Sequence, residues 1–257
     1  MRRISLIIAL IAAILIGGFL AAPWFILYAA KVRAVKQYTR EPFTERTLNR
    51  VPESPPQHIA ARLDYPDTVW MNGTDGVCRL GFPSDRFRRD DDPKRANAVI
   101  HHQRYRALIF PGRSAPEFAP VMQPFGFTNL YDFISDAFRA TVRDISPQPN
   151  MEALLRHTVL LDAKLMLAPV GFEESCREFF RDNVKGFIIG DPVRSKHVFL
   201  WVFFEDQQQF VDLGVIPEAP ISMSDLEALI SVMKVSSKRP KSEKDLDAQE
   251  RPKELSE

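Results

Sequence analysis

Cysteine is nearly absent from this chain, and most cysteine chemistry is absent with it. Only Cys78 and Cys176 occur in 257 residues, neither in a C-x-x-C pair nor at another metal-ligand spacing, so at most one disulfide can form and no zinc-type signature exists. Two readings of the pair stand. They are buried thiols, or, in an oxidising compartment, a bridge from an early strand to a later helix, contributing up to roughly 4 to 5 kcal/mol on the chain-entropy model. An excess of one charge is also missing: 34 Lys and Arg face 33 Asp and Glu, for a net charge of +1. Such a chain carries no global field for nucleic acid or acidic substrates, and no nucleic-acid partner is expected. Phosphate loops of the G-x-x-x-x-G-K and G-x-G-x-x-G kinds do not occur, nor do H-E-x-x-H and G-x-S-x-G. Nucleotide binding and two common hydrolase signatures therefore lack support, and no cofactor is expected.

What the chain does have is a long apolar run near its start. Residues 4–30 carry no charge; as a helix they would span roughly 40 Å, enough to cross a bilayer with some tilt. Arg2 and Arg3 would equally open a cleaved export signal, but the cleavage site is poor. Leu20 precedes the best candidate, Ala22, by two residues and Pro23 follows it, while Tyr28 spoils Ala30. Trp24, Phe25 and Tyr28 read instead as an interfacial aromatic belt, with Lys31, Arg33 and Lys36 as the cationic flank. A retained single-pass anchor over 4–30 is expected, with the lipid bilayer as its partner. Cations on both flanks pull the orientation in opposite directions. The two-arginine start favours an extracytoplasmic domain, because long domains translocate largely regardless of charge.

Residues 31–62 mix charge with Pro42, Pro52, Pro55 and Pro56 and read as a juxtamembrane spacer with one short helix. Residues 236–257 are charge-rich, almost free of apolar side chains, and read as a disordered tail. The span 63–235 is left as one α+β domain, a largely antiparallel sheet with packed helices. "TVWMNGTDGVCRLGF" predicts a hairpin across Asn-Gly and Asp-Gly turn chemistry. Its Asn72-Gly73-Thr74 also matches a glycosylation acceptor. Strands are expected at 98–101 and 105–110. A helix is expected from Leu130 to Ile145 by three and four residue spacing, and another between the N-cap Asn150 and Pro169 with Leu154, Leu155, Thr158, Leu161 and Leu165 as its stripe. A short helix is expected to carry Cys176, Phe179 and Phe180. "GFIIG", "HVFLWVFF" and "FVDLGVI" predict strands, the middle one apolar on both faces and so central. A helix follows, with a Ser224/Glu227 capping box and Leu226, Leu229, Ile230 and Met233 buried. This ending, strand, turn, strand and then "LEALISVMKVSS", resembles the closing unit of PsbP/Mog1-like domains over about forty residues. No functional motif comes with the resemblance, and it implies no activity.

Two regions carry candidate chemistry. His101 and His102 follow Asp90, Asp91 and Asp92 by about ten residues, and imidazole with carboxylate suits a divalent metal or acid/base work. Adjacent histidines on a strand point to opposite faces, however, so at most one can join a given site, and a solvated loop is the plainer reading. His157 and Asp162 are spaced so that they do not share a helix face, and His197 reads as an edge or core residue. The second region, "FPGRSAPEFAPVMQPFGFTN", reads as a long ordered loop, either a cover over the core or a recognition surface. As a recognition surface it would use Phe118, Met122 and Phe125, with Arg113 as the polar contact and another membrane or envelope protein as partner. The preferred function is a membrane-tethered, non-catalytic binding or assembly domain with no metal. The alternative is a membrane-anchored hydrolase, metal-dependent or not, using His101, His102 and Asp90 to Asp92.

Overall fold

The computed structural model describes residues 24–33, 35–36, 42–72, 79–90, 98–145, 150–204 and 208–236. The fold is α+β, with a large mixed sheet and several helices. Residues group into two compact units, Met1–Val51 with Phe133–Ala168, and Pro52–Asp132 with Pro169–Glu257. Among the described residues no helix is long and apolar enough to cross a membrane. Most of the expected anchor falls on residues 1–23, outside those described.

The first unit is helical. Residues 24–33 form a helix, α1 is Pro42–Asn49, α3, Leu130–Arg139, belongs to this unit from Phe133 onward, and α4 is Met151–Leu167. Asn150 caps α4 as expected, its side-chain oxygen accepting from the Ala153 N–H at 2.8 Å, and the helix stops before Pro169, whose ring disfavours helical backbone in the residue preceding it. The buried stripe differs from the expected one. It runs through Leu154, His157, Leu161 and Lys164, while Leu155 is 53% exposed. Two polar side chains can sit on this stripe because both find carbonyls. The helix expected to continue from Leu130 to Ile145 ends at Arg139 and resumes as a 3-10 turn, Val142–Ile145. That break frees backbone oxygens: His157 Nε2 lies 2.8 Å from the carbonyl of Thr141, and Lys164 Nζ donates to Ala140 O at 2.7 Å. The Thr141 hydroxyl donates to Asp144 at 2.7 Å and secures the new turn. Lys164, fully buried, donates also to the carbonyls of Leu48 and Arg50 at the end of α1.

The second unit holds the sheets. The strands are β1 Glu53–His58, β2 Thr68–Asn72, β3 Arg79–Pro83, β4 Arg88–Asp90, β5 Ala98–His101, β6 Tyr105–Ser114, β7 Cys176–Arg181, β8 Val184–Ile189, β9 Val198–Phe203, β10 Gln209–Pro217 and β11 Lys234–Ser236. Eight of them form one sheet in the order β1-β7-β8-β9-β10-β6-β5-β4, and β11-β3-β2 form a second. β2 and β3 pair as the expected hairpin, Thr68 opposite Pro83, with the turn residues outside those described. β1 runs parallel to β7 while the other neighbours in the large sheet are antiparallel, so the sheet is mixed. Residues 53–58 thus form a strand where composition suggested a spacer. Their Ser-Pro-Pro sequence shows no alternation because it spans an irregularity in the register between Glu53 and Gln57.

Cys176, Phe179 and Phe180 lie on β7, where a helix was expected. Arg181 pairs with Val184 across a two-residue turn, Asp182-Asn183, and Asp182 takes φ 50, a left-handed conformation that Asp tolerates better than most residues. "HVFLWVFF" is central as expected, β9 lying between β8 and β10. On one side of the sheet Ile188, Leu200, Val202, Val211 and Leu213 join Leu80 and Phe82 of the small sheet and Leu226, Leu229 and Ile230 of α5, Met223–Val232, in one core. The capping box of α5 is Ser222 with Asp225, two residues before the expected pair, with Ser222 N–H and Oγ reaching the Asp225 carboxylate at 2.7 and 2.8 Å. At the other end of α5, Arg181 Nη1 donates to the carbonyls of Ile230 and Met233, and the Tyr65 hydroxyl donates to Val232 O at 2.8 Å. Burial pushes the Tyr65 hydroxyl up to about 12, so it stays protonated and donating.

Candidate functional site

The opposite side of the large sheet is aromatic, and the register aligns it into rows. Glu178, Phe187, Trp201, Asp212 and Phe110 are successive partners on β7, β8, β9, β10 and β6; Phe180, Lys185, Phe203, Phe210 and Arg113 form the next row. Tyr131 stacks on Phe187 with centroids 5.8 Å apart, meets Phe203 edge-on at 5.2 Å and donates its hydroxyl to buried Glu178. Lys185 Nζ sits 4.8 Å from the Tyr131 ring centroid, a cation–π contact. Asp212 ends the buried part of its row. Burial raises its carboxyl from 3.8 to about 7, against the opposing effects of the Trp201 indole and the Arg113 guanidinium.

At the end of the β6–β10 ladder, where Ser114 pairs with Gln209, the chain turns into a groove. The segment read as a loop without secondary structure is in fact α2, Ala115–Met122, followed by a 3-10 turn, Gln123–Phe125. Ser114 is the cap: its N–H and hydroxyl donate to the Glu117 carboxylate at 3.0 and 3.2 Å. Pro116 falls in the first turn, where a missing N–H is harmless. The tetrapeptide Ser-Ala-Pro-Glu was the available sequence signal for this start. Gly126, at φ 76, ends the 3-10 turn in the left-handed region that glycine adopts without strain.

The groove has a volume of about 590 Å³, inside the range of small-ligand sites. Its apolar lining comes from Ala115, Pro116, Ala119, Met122 and Phe127, and its polar lining from Ser114, Gln123, Thr128, Gln208 and Gln209. Ala115 N–H donates to Gln208 O at 2.7 Å, and Gln208 Nε2 donates to Thr128 O at 3.0 Å, so the strand start and the helix segment are tied together. Of the expected contact residues, Met122 is buried and lines the groove. Phe118 and Phe125 are half-buried and Arg113 is exposed; these three lie outside its lining. Gln208 and Gln209 carried no sequence signal for the groove, because neutral amides by themselves mark no chemistry.

The histidine and aspartate region does not gather. His101 Nε2 lies 3.5 Å from Asp90 Oδ2, on neighbouring strands. His102 instead stacks on Tyr105 at 4.4 Å and approaches Phe87 at 5.1 Å. Its burial there lowers its pKa, with Asp225 opposing and Arg104 and Arg86 reinforcing that effect. Asp91 and Asp92 lie outside the described residues, and among the described residues no three His, Cys, Asp or Glu side chains could hold a metal ion together. His157 is buried against Thr141 while Asp162 is exposed, and His197 is exposed. Cys176 is buried at the start of β7, and its candidate disulfide partner Cys78 lies outside the described residues. No protein-family model matches this chain, and no curated protein or solved structure is significantly similar to it.

Proposed function

We propose that this protein is a membrane-tethered binding or assembly domain, held to a lipid bilayer by residues 4–30 and presenting the segment from Arg113 to Thr128 to another membrane or envelope protein. One observation carries the tether. In the helix at 24–33, Trp24, Phe25, Ile26 and Tyr28 are 67%, 74%, 60% and 68% exposed, and they continue the apolar run of the preceding residues. Four large apolar side chains within five residues left in water are costly, and an aromatic belt at a bilayer interface removes that cost. The groove beside α2 supplies the binding surface. Among the described residues the hydrolase reading has the His101–Asp90 pair in its favour, while His102 is committed to its aromatic stack. The Arg2-Arg3 start supports an extracytoplasmic position for the folded part.

Alkaline carbonate washing of membranes carrying the full chain tests the tether, and intact mass tests whether residues 1–30 are retained. Release by carbonate, or loss of those residues, would sink it. Crosslinking in the membrane tests the recognition segment through the double change Phe118→Ser and Phe125→Ser. Both rings are half-buried, so the pair costs about 2–4 kcal/mol of stability and also removes the crosslink. A fall of twice that with the crosslink intact would make the segment a cover.

A further inference from the structure

We infer that a hollow between the end of β1 and α5 binds a small zwitterion, a free amino acid or short peptide whose carboxylate meets Arg62 and whose ammonium meets Glu227. This site shares no residue with the groove beside α2 and does not depend on the binding-domain reading. The hollow, about 320 Å³ in volume, is lined by His58, by the segment that follows it as far as Arg62, and by α5 residues from Ser224 to Ser231. Its walls are fixed by backbone. Ile59 N–H donates to Phe180 O of β7 at 2.9 Å, and Arg62 N–H donates to Ser231 O at 2.7 Å. Leu226, Leu229 and Ile230 hold α5 in the core. The hollow is therefore preformed.

Two opposite charges share this lining without meeting. Arg62 is exposed and Glu227 half-buried, and among the described residues neither side chain makes a hydrogen bond or ion pair. A simple anion drawn to the guanidinium is repelled by the carboxylate in the same hollow, and a simple cation drawn to the carboxylate is repelled by the guanidinium. That pairing selects against either ion alone. A ligand carrying both charges satisfies both groups through charge-assisted hydrogen bonds, the guanidinium taking a carboxylate with two parallel donors. Ala60 and Ala228, both exposed, end at Cβ and leave space for the ligand's own chain. His58 and Ser224 add polar groups able to hydrogen-bond a peptide group. A volume of about 320 Å³ stands at the low end of small-ligand sites, which suits one amino acid or a dipeptide.

Calorimetric titration of the full chain in a non-ionic detergent, with L-leucine and L-alanyl-L-alanine as probes, tests the assignment. At least one of them is expected to bind with a Kd below about 1 mM, and which is tighter separates amino acid from peptide. N-acetylation of that probe, or conversion of its carboxylate to an amide, is expected to weaken binding by about tenfold or more. Arg62→Gln should erase the difference between acid and amide, and Glu227→Gln the difference between amine and acetyl. Ala228→Trp, which fills the hollow from an exposed position, should abolish binding. The melting temperature should stay unchanged in all three. If a variant lowers it, the blocked probes on the unaltered chain still decide. No binding of either probe at about 10 mM overturns the inference. So does equal binding of free and blocked forms, or binding of acetate or methylamine as tight as that of the zwitterion. Binding that persists in all three variants places the probe elsewhere and refutes the site.

Discussion

Lys164→Met should destabilise the first unit by about 3–5 kcal/mol. The wild-type ammonium is completely buried and donates to three carbonyls, Leu48 O at 3.2 Å, Ala140 O at 2.7 Å and Arg50 O. Two of these belong to the end of α1 and one to the chain just beyond α3, so a positive charge sits where helix C-termini concentrate negative potential. Methionine keeps most of the volume but donates nothing. The substitution removes the desolvation cost of the ammonium, which offsets part of the loss, yet it orphans buried carbonyls at about 1–3 kcal/mol each. Eight residues of α1 cannot hold a helix alone, so α1 is where the loss should appear. Lys164→Arg should not rescue, because a planar fork cannot replace three convergent bonds from one atom. Urea unfolding of the full chain in mild detergent measures the stability, and hydrogen exchange of the amides in Pro42–Asn49 locates it. A loss below about 1 kcal/mol, or unchanged protection in α1, would refute the clamp.

Three further outcomes are expected. Asp212 keeps its proton in the folded chain up to about 7 against an ordinary 3.8; the native state binds more protons between those values, so stability should fall on the order of 2–4 kcal/mol as pH rises from about 4 to 7. Asp212→Asn should flatten that slope, and denaturation curves with parallel slopes would contradict the assignment. Gly186→Ala should cost at least about 3 kcal/mol, because a Cβ there would stand 2.0 Å from the Trp201 carbonyl oxygen and 2.6 Å from the Phe179 ring; an unchanged melting temperature would show that β8 and β9 can part without cost. A fragment of residues 63–235 should be aggregation-prone beside one of 42–236, because the shorter piece lacks β1 and leaves the β7 edge bare. Equal solubility of the two by light scattering would refute the dependence on β1.

Local sequence carried much of the second unit. The β2–β3 hairpin, the strands at Ala98 and Tyr105, the central β9 and the buried stripe of α5 all follow from periods of 2.0 and 3.6 and from turn residues nearby in the chain. The N-cap Asn150 was legible for the same reason, since a cap acts within three residues. Where two local signals competed, the choice slipped. Ser222-Met-Ser-Asp225 prevailed over Ser224/Glu227, and Ser114-Ala-Pro-Glu117 begins a helix where a loop was expected.

Tertiary structure decided whatever joins distant residues. β1 pairs with β7 across more than a hundred residues, and nothing in Glu-Ser-Pro-Pro-Gln-His announces a strand until its neighbour supplies the hydrogen bonds. His157 and Lys164 look like solvent positions until a helix broken at Ala140 and Thr141 offers them carbonyls. The groove draws on residues 114–128 and 208–209, which only the β6–β10 register brings side by side. Sequence by itself determined the apolar start, the near-neutral charge and most of the element types, because those depend on each residue's own chemistry and its near neighbours. The mixed sheet, the buried polar partners and the groove beside α2 depend on which distant surfaces exclude water together, and that is a property of the packed chain.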